Sequence, residues 1–121
     1  MSYDVNNIFA KILRGEIPND TVYEDDYVLA FRDLYPKAPV HILVIPKGEY
    51  IDVADFGAHA KEKEIAAFWR AVAVIAEEQG LPAGGFRTIA NTGLHGGQEV
   101  PHFHVHILGG KALGPMLAKA A

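Results

Sequence analysis

Apolar residues change their spacing along the chain, and the spacing predicts the secondary structure. Residues 8–13 repeat at helical spacing behind Asn7, a residue type that caps helices, and residues 57–79 show a longer amphipathic helix that Gly80 ends. Alternating or continuous apolar runs predict five strands, at residues 21–24, 27–32, 40–45, 86–90 and 100–108. This order predicts an α+β domain with an antiparallel sheet, one long helix and one short helix.

One of these strands is predicted to lie in the centre of the sheet. Residues 40–45 are apolar except for His41, which is typical of a strand buried on both faces. The chain has 121 residues, half of them hydrophobic, so one domain over residues 1–121 can close a single core. Gly109 and Gly110 open a tail of small residues, 109–121.

Charge and cysteine content narrow the classes of partner. Eleven basic against fifteen acidic residues give a net charge of −4 without any like-charge block, so we expect no nucleic-acid partner. The absence of cysteine excludes a disulfide scaffold, a thiolate nucleophile and Cys-ligated metal. The N-terminus has no signal-like apolar stretch, and the longest apolar run, residues 71–76, is too short for a bilayer. We therefore expect a soluble cytoplasmic protein with no membrane partner.

Histidine is concentrated in the run His102-Phe103-His104-Val105-His106. Because side chains alternate along a strand, the three histidines are predicted to share one face, while Phe103 and Val105 point into the core. A single strand histidine is ordinarily a half-buried structural residue. Three on one face are costly to desolvate and pack poorly, so the set indicates a functional site.

Two chemistries fit such a face. The first is a metal site, because histidine is a common metal ligand. At about 3.3 Å per residue the outer two histidines are about 13 Å apart at their backbones, so a site would need two of them plus His41 or a carboxylate. The second is a nucleophilic histidine, since an imidazole with a pKa of about 6.5 is largely neutral at pH 7. It needs a carbonyl or a second imidazole to fix its tautomer.

A glycine-rich loop, residues 91–98, leads into the histidine run. Glycines let backbone N–H groups converge on an anion, although the loop matches neither the dinucleotide nor the Walker pattern. In isolation it would be an ordinary turn. Its position directly before the histidines favours phosphate chemistry, whose transition state needs N–H donors close by.

The segment Pro101 to Leu108 resembles the histidine-triad motif, His-φ-His-φ-His-φ-φ, where φ is hydrophobic. The likeness to the Hint branch of that family extends over about a hundred residues. It includes Ile8-Phe9, residues 15–18 and 24–26, Ala30-Phe31, Asp33, Ala38-Pro39, His41, residues 43–47, Asn91, Gly93, residues 96–98 and Gly109-Gly110.

The resemblance implies a homodimer whose two five-stranded sheets form one ten-stranded sheet. It also implies a purine nucleoside phosphoramidase that binds adenosine or guanosine monophosphate and needs no cofactor or metal. His104 would attack the α-phosphorus and form a nucleotidyl-histidine intermediate. By the same match, His102 and His106 orient the nucleophile or contact phosphate, and His41 completes the cluster.

The resemblance also assigns the nucleotide site. Asp33 would accept both ribose hydroxyls, and Asn91 and Gln98 would belong to the network around the phosphate. The base cleft would be lined by Ile8, Phe9, Ile12, Phe31, Leu34 and Leu43. Gly97, Glu99 and Val100 complete the predicted set. Glu99 stands where some relatives carry a small hydroxyl residue, and its carboxylate could steer a cationic leaving group or act as a general acid.

Two other functions stay open at this point. Within the same superfamily the chain could hydrolyse dinucleoside polyphosphates, although the Gly109-Gly110 ending favours the Hint branch. It could also be a nucleotide-binding regulatory module whose hydrolysis is incidental. Loop and helix-surface positions account for His95 and His59, so neither is assigned an active role.

Overall fold

The computed structural model describes residues 2–118. Met1 and residues 119–121 lie outside the described residues, so the predicted domain 1–121 and tail 109–121 are followed here as far as residue 118. In chain order the elements are α1 (Ile8–Leu13), β1 (Thr21–Glu24), β2 (Val28–Arg32), β3 (Val40–Pro46), α2 (Val53–His59), α3 (Glu62–Glu78), β4 (Arg87–Ile89), α4 (Gly93–Gly96) and β5 (Val105–Gly109).

The five strands form one antiparallel sheet in the order β1-β2-β3-β5-β4. This confirms the predicted α+β class and the five-stranded antiparallel sheet. Strand β3 is central, and its residues from His41 to Pro46 are buried, as the apolar run predicted. In the register of β3 against β5, Leu43 lies opposite His106 and Val44 lies opposite Val105.

Each face of the sheet has its own apolar cluster. On one face the strand residues pack against α2 and α3, and the rings of Phe56 and Phe68 lie about 5 Å from that of Phe103. On the other face the short helix α1 packs against β2 and β3 through Phe9 and Ile12. Because one short helix covers less area than two longer ones, this second face keeps an open cleft beside α1.

Helix α1 forms as predicted. The side chain of Asn7 accepts a hydrogen bond from the Ala10 N–H (2.9 Å), as an N-cap residue does. The chain turns at Gly15, which has φ = 78° and so adopts a conformation that favours glycine.

The prediction of one helix over residues 57–79 was wrong. The structure has two helices, α2 and α3, separated by Ala60 and Lys61 in extended conformation. Asp52 caps α2 through the Asp55 N–H (2.9 Å), and Glu64 accepts from the Lys61 N–H (3.1 Å) at the start of α3. Each helix therefore begins with its own side-chain-to-backbone bond inside what had seemed a single amphipathic pattern.

The predicted strand 100–108 was also too long, because β5 begins at Val105. The Phe103 N–H donates to the Tyr50 carbonyl (2.7 Å) instead of to a neighbouring strand, and Pro101 has no N–H to donate. The carbonyl of Pro46 at the end of β3 is hydrogen-bonded to Nε2 of the His102 ring (2.8 Å). His102 and His104 consequently precede the strand, and only His106 lies within it.

A further difference concerns the glycine-rich loop, which contains the helical turn α4. The predicted set of one long and one short helix is therefore incomplete. Within residues 2–118, no helix is both long and apolar enough to cross a membrane.

Candidate active site

A cleft of about 510 Å³ opens on the face of the sheet that α1 covers. Its floor is formed by residues of β2, β3 and β5, and its rim by α1 and by the loops after β2 and before β5. Of the sixteen residues predicted for the site, fourteen line this cleft: Ile8, Phe9, Ile12, Phe31, Asp33, Leu34, His41, Leu43, Asn91, Gly97, Glu99, Val100, His104 and His106.

The two others, His102 and Gln98, do not line the cleft. The Gln98 side chain accepts from the Gly93 N–H (3.0 Å) and donates to the carbonyls of Ile51 (2.7 Å) and Val100 (3.0 Å). Its amide is therefore committed to holding the loop against the segment after β3. Gln98 thus supports the loop from behind the cleft, and its membership of the network around the phosphate stays a prediction.

His102 has no exposed surface, and both of its ring nitrogens are hydrogen-bonded. Nε2 lies 2.8 Å from the Pro46 carbonyl, which can only accept, so Nε2 carries the proton. Nδ1 therefore accepts, and the Tyr3 hydroxyl donates to it at 2.6 Å. Burial lowers the pKa of His102 from 6.5 to about 4. The ring is neutral at pH 7, in a single tautomer.

His104 is held by the backbone carbonyl of His102. Its Nδ1–H donates to the His102 carbonyl at 2.7 Å, so Nε2 keeps its lone pair. Burial lowers the pKa of His104 too, which keeps the imidazole neutral. The ring packs edge-on against Phe9, with centroids 4.9 Å apart, and lies at the cleft wall. A neutral imidazole with a free lone pair at a cleft is a competent nucleophile.

His41 and His106 form a hydrogen-bonded pair across β3 and β5. The Lys37 N–H donates to Nδ1 of His41 (3.1 Å), so His41 carries its proton on Nε2 and donates it to Nδ1 of His106 (2.9 Å). His106 must then carry its own proton on Nε2, with its ring centroid 5.1 Å from that of His104. Burial lowers the pKa of both, to about 4 for His106.

The carboxylate of Asp33 lies at the same end of the cleft. One oxygen accepts the Tyr35 N–H (2.8 Å), and the other is 3.5 Å from Nε2 of His41. Asp33, His41 and His106 offer ligand atoms within 4.8 Å of one another, a spacing that a metal ion could bridge. This group includes one triad histidine instead of the two that the metal interpretation required, and the lone pair on Nδ1 of His106 already accepts from His41.

The N–H groups of the glycine-rich loop are arranged differently from what was predicted. Those of Gly93, Gly96, Gly97 and Gln98 bond within the loop, because α4 and its left-handed cap at Gly97 use them. The prediction that the glycines present their N–H groups to an anion was therefore wrong for Gly93, Gly96 and Gly97. In the described chain, the N–H groups of Glu99 and Val100 have no protein partner, and both residues line the cleft.

A model of the HIT domain family matches residues 14–113 of the chain. The chain belongs to the HIT domain family. It is 52% identical over 111 residues to the purine nucleoside phosphoramidase of Escherichia coli strain K12, with 92% of each chain covered. The histidine run thus identified the family correctly.

Solved structures of HIT proteins have the same fold. A histidine triad protein from Clostridium difficile matches with a TM-score of 0.83 and 46% identity, over 96% of this chain and all of that one. A HIT family hydrolase from Legionella pneumophila matches with a TM-score of 0.81 and 38% identity, over 90% of this chain and 96% of that one. This chain is a HIT family hydrolase.

Several residues of the HIT site escaped prediction. Lys37 reaches His41 through a backbone N–H, which no side-chain pattern can reveal. Tyr35 stands exposed at the cleft rim, and Tyr3 reaches His102 across 99 positions of sequence. One signal for Tyr3 was its position as an aromatic residue just before the capped helix α1. Nothing in the sequence, however, indicated that its side chain contacts a histidine of the triad.

The neutral histidines make the stability of this HIT protein depend on pH. His102 and His106 have pKa values of about 4 in the folded chain and an ordinary value of 6.5, so the unfolded chain binds more protons between these two values. The free energy of unfolding should fall as the pH drops from 6.5 towards 4, by about 1–3 kcal/mol per histidine. Above pH 6.5 this contribution is constant.

Urea denaturation between pH 4.5 and 7.5 measures this dependence. His106→Gln should make the slope of unfolding free energy against pH shallower. His95→Gln, a change at an exposed loop histidine, should leave it unchanged. Equal slopes for His106→Gln and the unsubstituted protein would contradict the prediction.

Proposed function

We propose that this HIT hydrolase cleaves purine nucleoside phosphoramidates and releases the nucleoside 5′-monophosphate. The observation that carries the proposal is the state of His104, a neutral ring whose Nε2 lone pair is free because Nδ1–H is bonded to the His102 carbonyl (2.7 Å). The 52% identity to the E. coli purine nucleoside phosphoramidase supports the same reaction.

In the first step, Nε2 of His104 donates its lone pair to the α-phosphorus and the P–N bond breaks. The leaving nitrogen takes the electron pair of that bond and needs a proton. We assign the donor as His106, which carries its proton on Nε2 and whose ring centroid lies 5.1 Å from that of His104. A bound phosphate anion raises the pKa of the His41–His106 pair, so the pair can take up one proton with the substrate and pass it to the amine.

The second step returns the enzyme to its starting state. Water attacks the phosphorus of the nucleotidyl-histidine, and the N–P bond breaks with its electron pair returning to His104. The His41–His106 pair accepts the proton of the water and releases it to solvent when the monophosphate leaves, which makes the pair neutral again. The Nδ1–H of His104 stays on the His102 carbonyl throughout, where it stabilises the positive charge that the ring carries while it is bound to phosphorus.

The remaining cleft residues fit a nucleotide. The free N–H groups of Glu99 and Val100 are suited to phosphoryl oxygens, and the carboxylate of Asp33 can accept ribose hydroxyls. Apolar side chains that line the cleft, among them Ile12 and Phe31, would bury the purine ring. We expect no metal or other cofactor to be required.

The nucleophile is tested with His104→Ala and adenosine 5′-phosphoramidate. Release of the monophosphate should fall by at least about 10³-fold, because the covalent route is lost. Intact mass of quenched unsubstituted enzyme should show an added adenylyl group that His104→Ala lacks. Equal turnover by the two proteins would refute the assignment.

The same assay separates the alternatives. Faster cleavage of a diadenosine polyphosphate than of the phosphoramidate would favour the polyphosphate hydrolase, and binding without cleavage of either would favour a regulatory module. Turnover should survive treatment with a metal chelator. Loss of activity that stoichiometric Zn²⁺ restores would instead favour the metal site at Asp33, His41 and His106.

Glu99 is proposed to attract a positively charged leaving group, since its carboxylate is exposed at the cleft beside the proposed phosphate site. Two matched substrates test this: one whose leaving amine carries a second, protonated amino group, and one that carries a hydroxyl there. Glu99→Gln should lower kcat/KM for the cationic substrate about two- to fivefold, as expected for an exposed ion pair. Turnover of the neutral substrate should not change.

High salt should reduce the preference of the unsubstituted enzyme for the cationic over the neutral substrate, as Glu99→Gln does. If Glu99→Gln affects neither substrate, the carboxylate has no steering role. An equal loss for both substrates would point to general acid catalysis by Glu99 instead.

We also propose that the chain forms a homodimer by pairing of β4 edges, which would join two sheets into one of ten strands. Strand β4 lies at one edge of the sheet, and Phe86 and Trp69 are large apolar side chains that stay partly exposed in the single chain. Unpaired sheet edges readily accept another strand.

The predicted cytoplasmic location, as well as the single domain, stays a prediction.

Light scattering after size exclusion should give twice the chain mass of 13.2 kDa. Thr88 is the central residue of β4 and is exposed, so in a two-fold pair centred there it would face its own copy. Thr88→Lys places like charges opposite each other and should weaken the dimer, whereas Thr88→Val should not. A monomer at micromolar concentration would refute the proposal.

A further inference from the structure

Tyr3 contacts the triad from outside the cleft. Its hydroxyl lies 2.6 Å from Nδ1 of His102, and its ring packs edge-on against the imidazole with centroids 5.6 Å apart. Tyr3 does not line the cleft, and it precedes the segment that matches the family model. Its direct contact with the catalytic histidines is therefore the one with His102, outside the cleft where substrate would bind.

The direction of the hydrogen bond is fixed by chemistry. The Pro46 carbonyl requires a proton on Nε2 of His102, so Nδ1 of the neutral ring can only accept, and Tyr3 donates. Burial raises the pKa of the Tyr3 hydroxyl from its ordinary value, so the hydroxyl is protonated and can donate at neutral pH. The His102 ring is thus clamped between a donor and an acceptor from two different parts of the chain.

The segment that carries Tyr3 is itself tied to α1. The Asp4 carbonyl accepts from the backbone N–H (3.2 Å) and the side chain (2.8 Å) of Asn7, a residue that is buried. The Val5 carbonyl accepts from the guanidinium of Arg14 at 2.8 Å. Residues 3–7 are therefore an ordered part of the structure, and the position of the Tyr3 hydroxyl is set by the same helix that covers the cleft.

We propose that Tyr3 is a positioning residue for the nucleophile: by clamping the His102 ring, it fixes the His102 carbonyl that orients His104. The proposal rests on the proposed function, in which His104 attacks phosphorus. As the N–P bond forms, the His104 ring gains positive charge and its Nδ1–H bond to the carbonyl strengthens. A carbonyl already fixed in place stabilises that charge without having to reorganise.

Tyr3→Phe removes the hydroxyl and keeps the ring. We expect kcat for adenosine 5′-phosphoramidate to fall about tenfold, the size of effect expected from one hydrogen bond between neutral groups. KM should stay within about twofold, because the binding of substrate in the ground state is unaffected when only stabilisation of the transition state is lost. Unchanged kcat would overturn the proposal.

Tyr23→Phe is the matched control. The Tyr23 hydroxyl donates to the Asp25 carboxylate at 2.8 Å on the β1–β2 hairpin, and neither residue lines the cleft. The same atom is removed from another hydrogen bond, so kcat should not change. If Tyr23→Phe lowers kcat as much as Tyr3→Phe does, general destabilisation explains both and the positioning role is excluded.

A double-mutant cycle tests whether Tyr3 acts through His102. In a His102→Ala background, Tyr3→Phe should have no further effect on kcat, because the alanine side chain offers the hydroxyl no acceptor. An equal loss in both backgrounds would show that Tyr3 acts by another route and would refute the proposal.

Nitrogen NMR of the imidazole rings gives a readout that does not depend on turnover. In the unsubstituted protein, Nδ1 of His102 should be unprotonated and hydrogen-bonded, and Tyr3→Phe should move its resonance towards that of a free ring nitrogen. The Nδ1–H signal of His104 should shift as well. A proton on Nδ1 of His102, or unchanged His104 signals in Tyr3→Phe, would overturn the proposal even if the phosphoramidase activity were absent.

Discussion

The hydrogen bond from Nδ1 of His104 to the His102 carbonyl is the interaction on which the site depends. That carbonyl is available because β5 begins only at Val105. Had the strand extended over residues 100–108, the backbone groups around His102 would have been used by neighbouring strands. The irregular segment before β5 therefore has two roles. It places the His102 ring on the Pro46 carbonyl at the end of β3, and its His102 carbonyl fixes the tautomer of His104.

Neutrality of the four histidines follows from the same architecture. The short helix α1 packs on the open face of the sheet, and Phe9 on that helix lies against the rings of both His102 and His104. Burial among apolar groups disfavours the charged imidazole, and each ring has at least one nitrogen hydrogen-bonded to a neutral partner. The site thus gains reactive lone pairs at neutral pH and loses stability in acid, and these two properties have one cause.

Sequence patterns predicted most of the sheet and most of the cleft, because the alternation of strand side chains survives small errors in strand ends. The histidines at 104 and 106 face the cleft and Phe103 faces the core, although β5 starts late. What escaped prediction depends on backbone hydrogen bonds. The break at Ala60, the internal bonding of the glycine-rich loop and the role of Gln98 all arise from main-chain donors and acceptors, which leave weak traces in residue type.

The groups that orient the reactive rings are largely main-chain atoms: the carbonyls of His102 and Pro46 and the N–H of Lys37. A main-chain atom remains when a side chain is replaced, provided that the backbone keeps its course. The walls of the cleft, by contrast, are side chains such as Leu34, Tyr35 and Glu99. Substrate preference can therefore drift between homologous proteins by ordinary point substitution, while the reactive geometry is inherited with the fold.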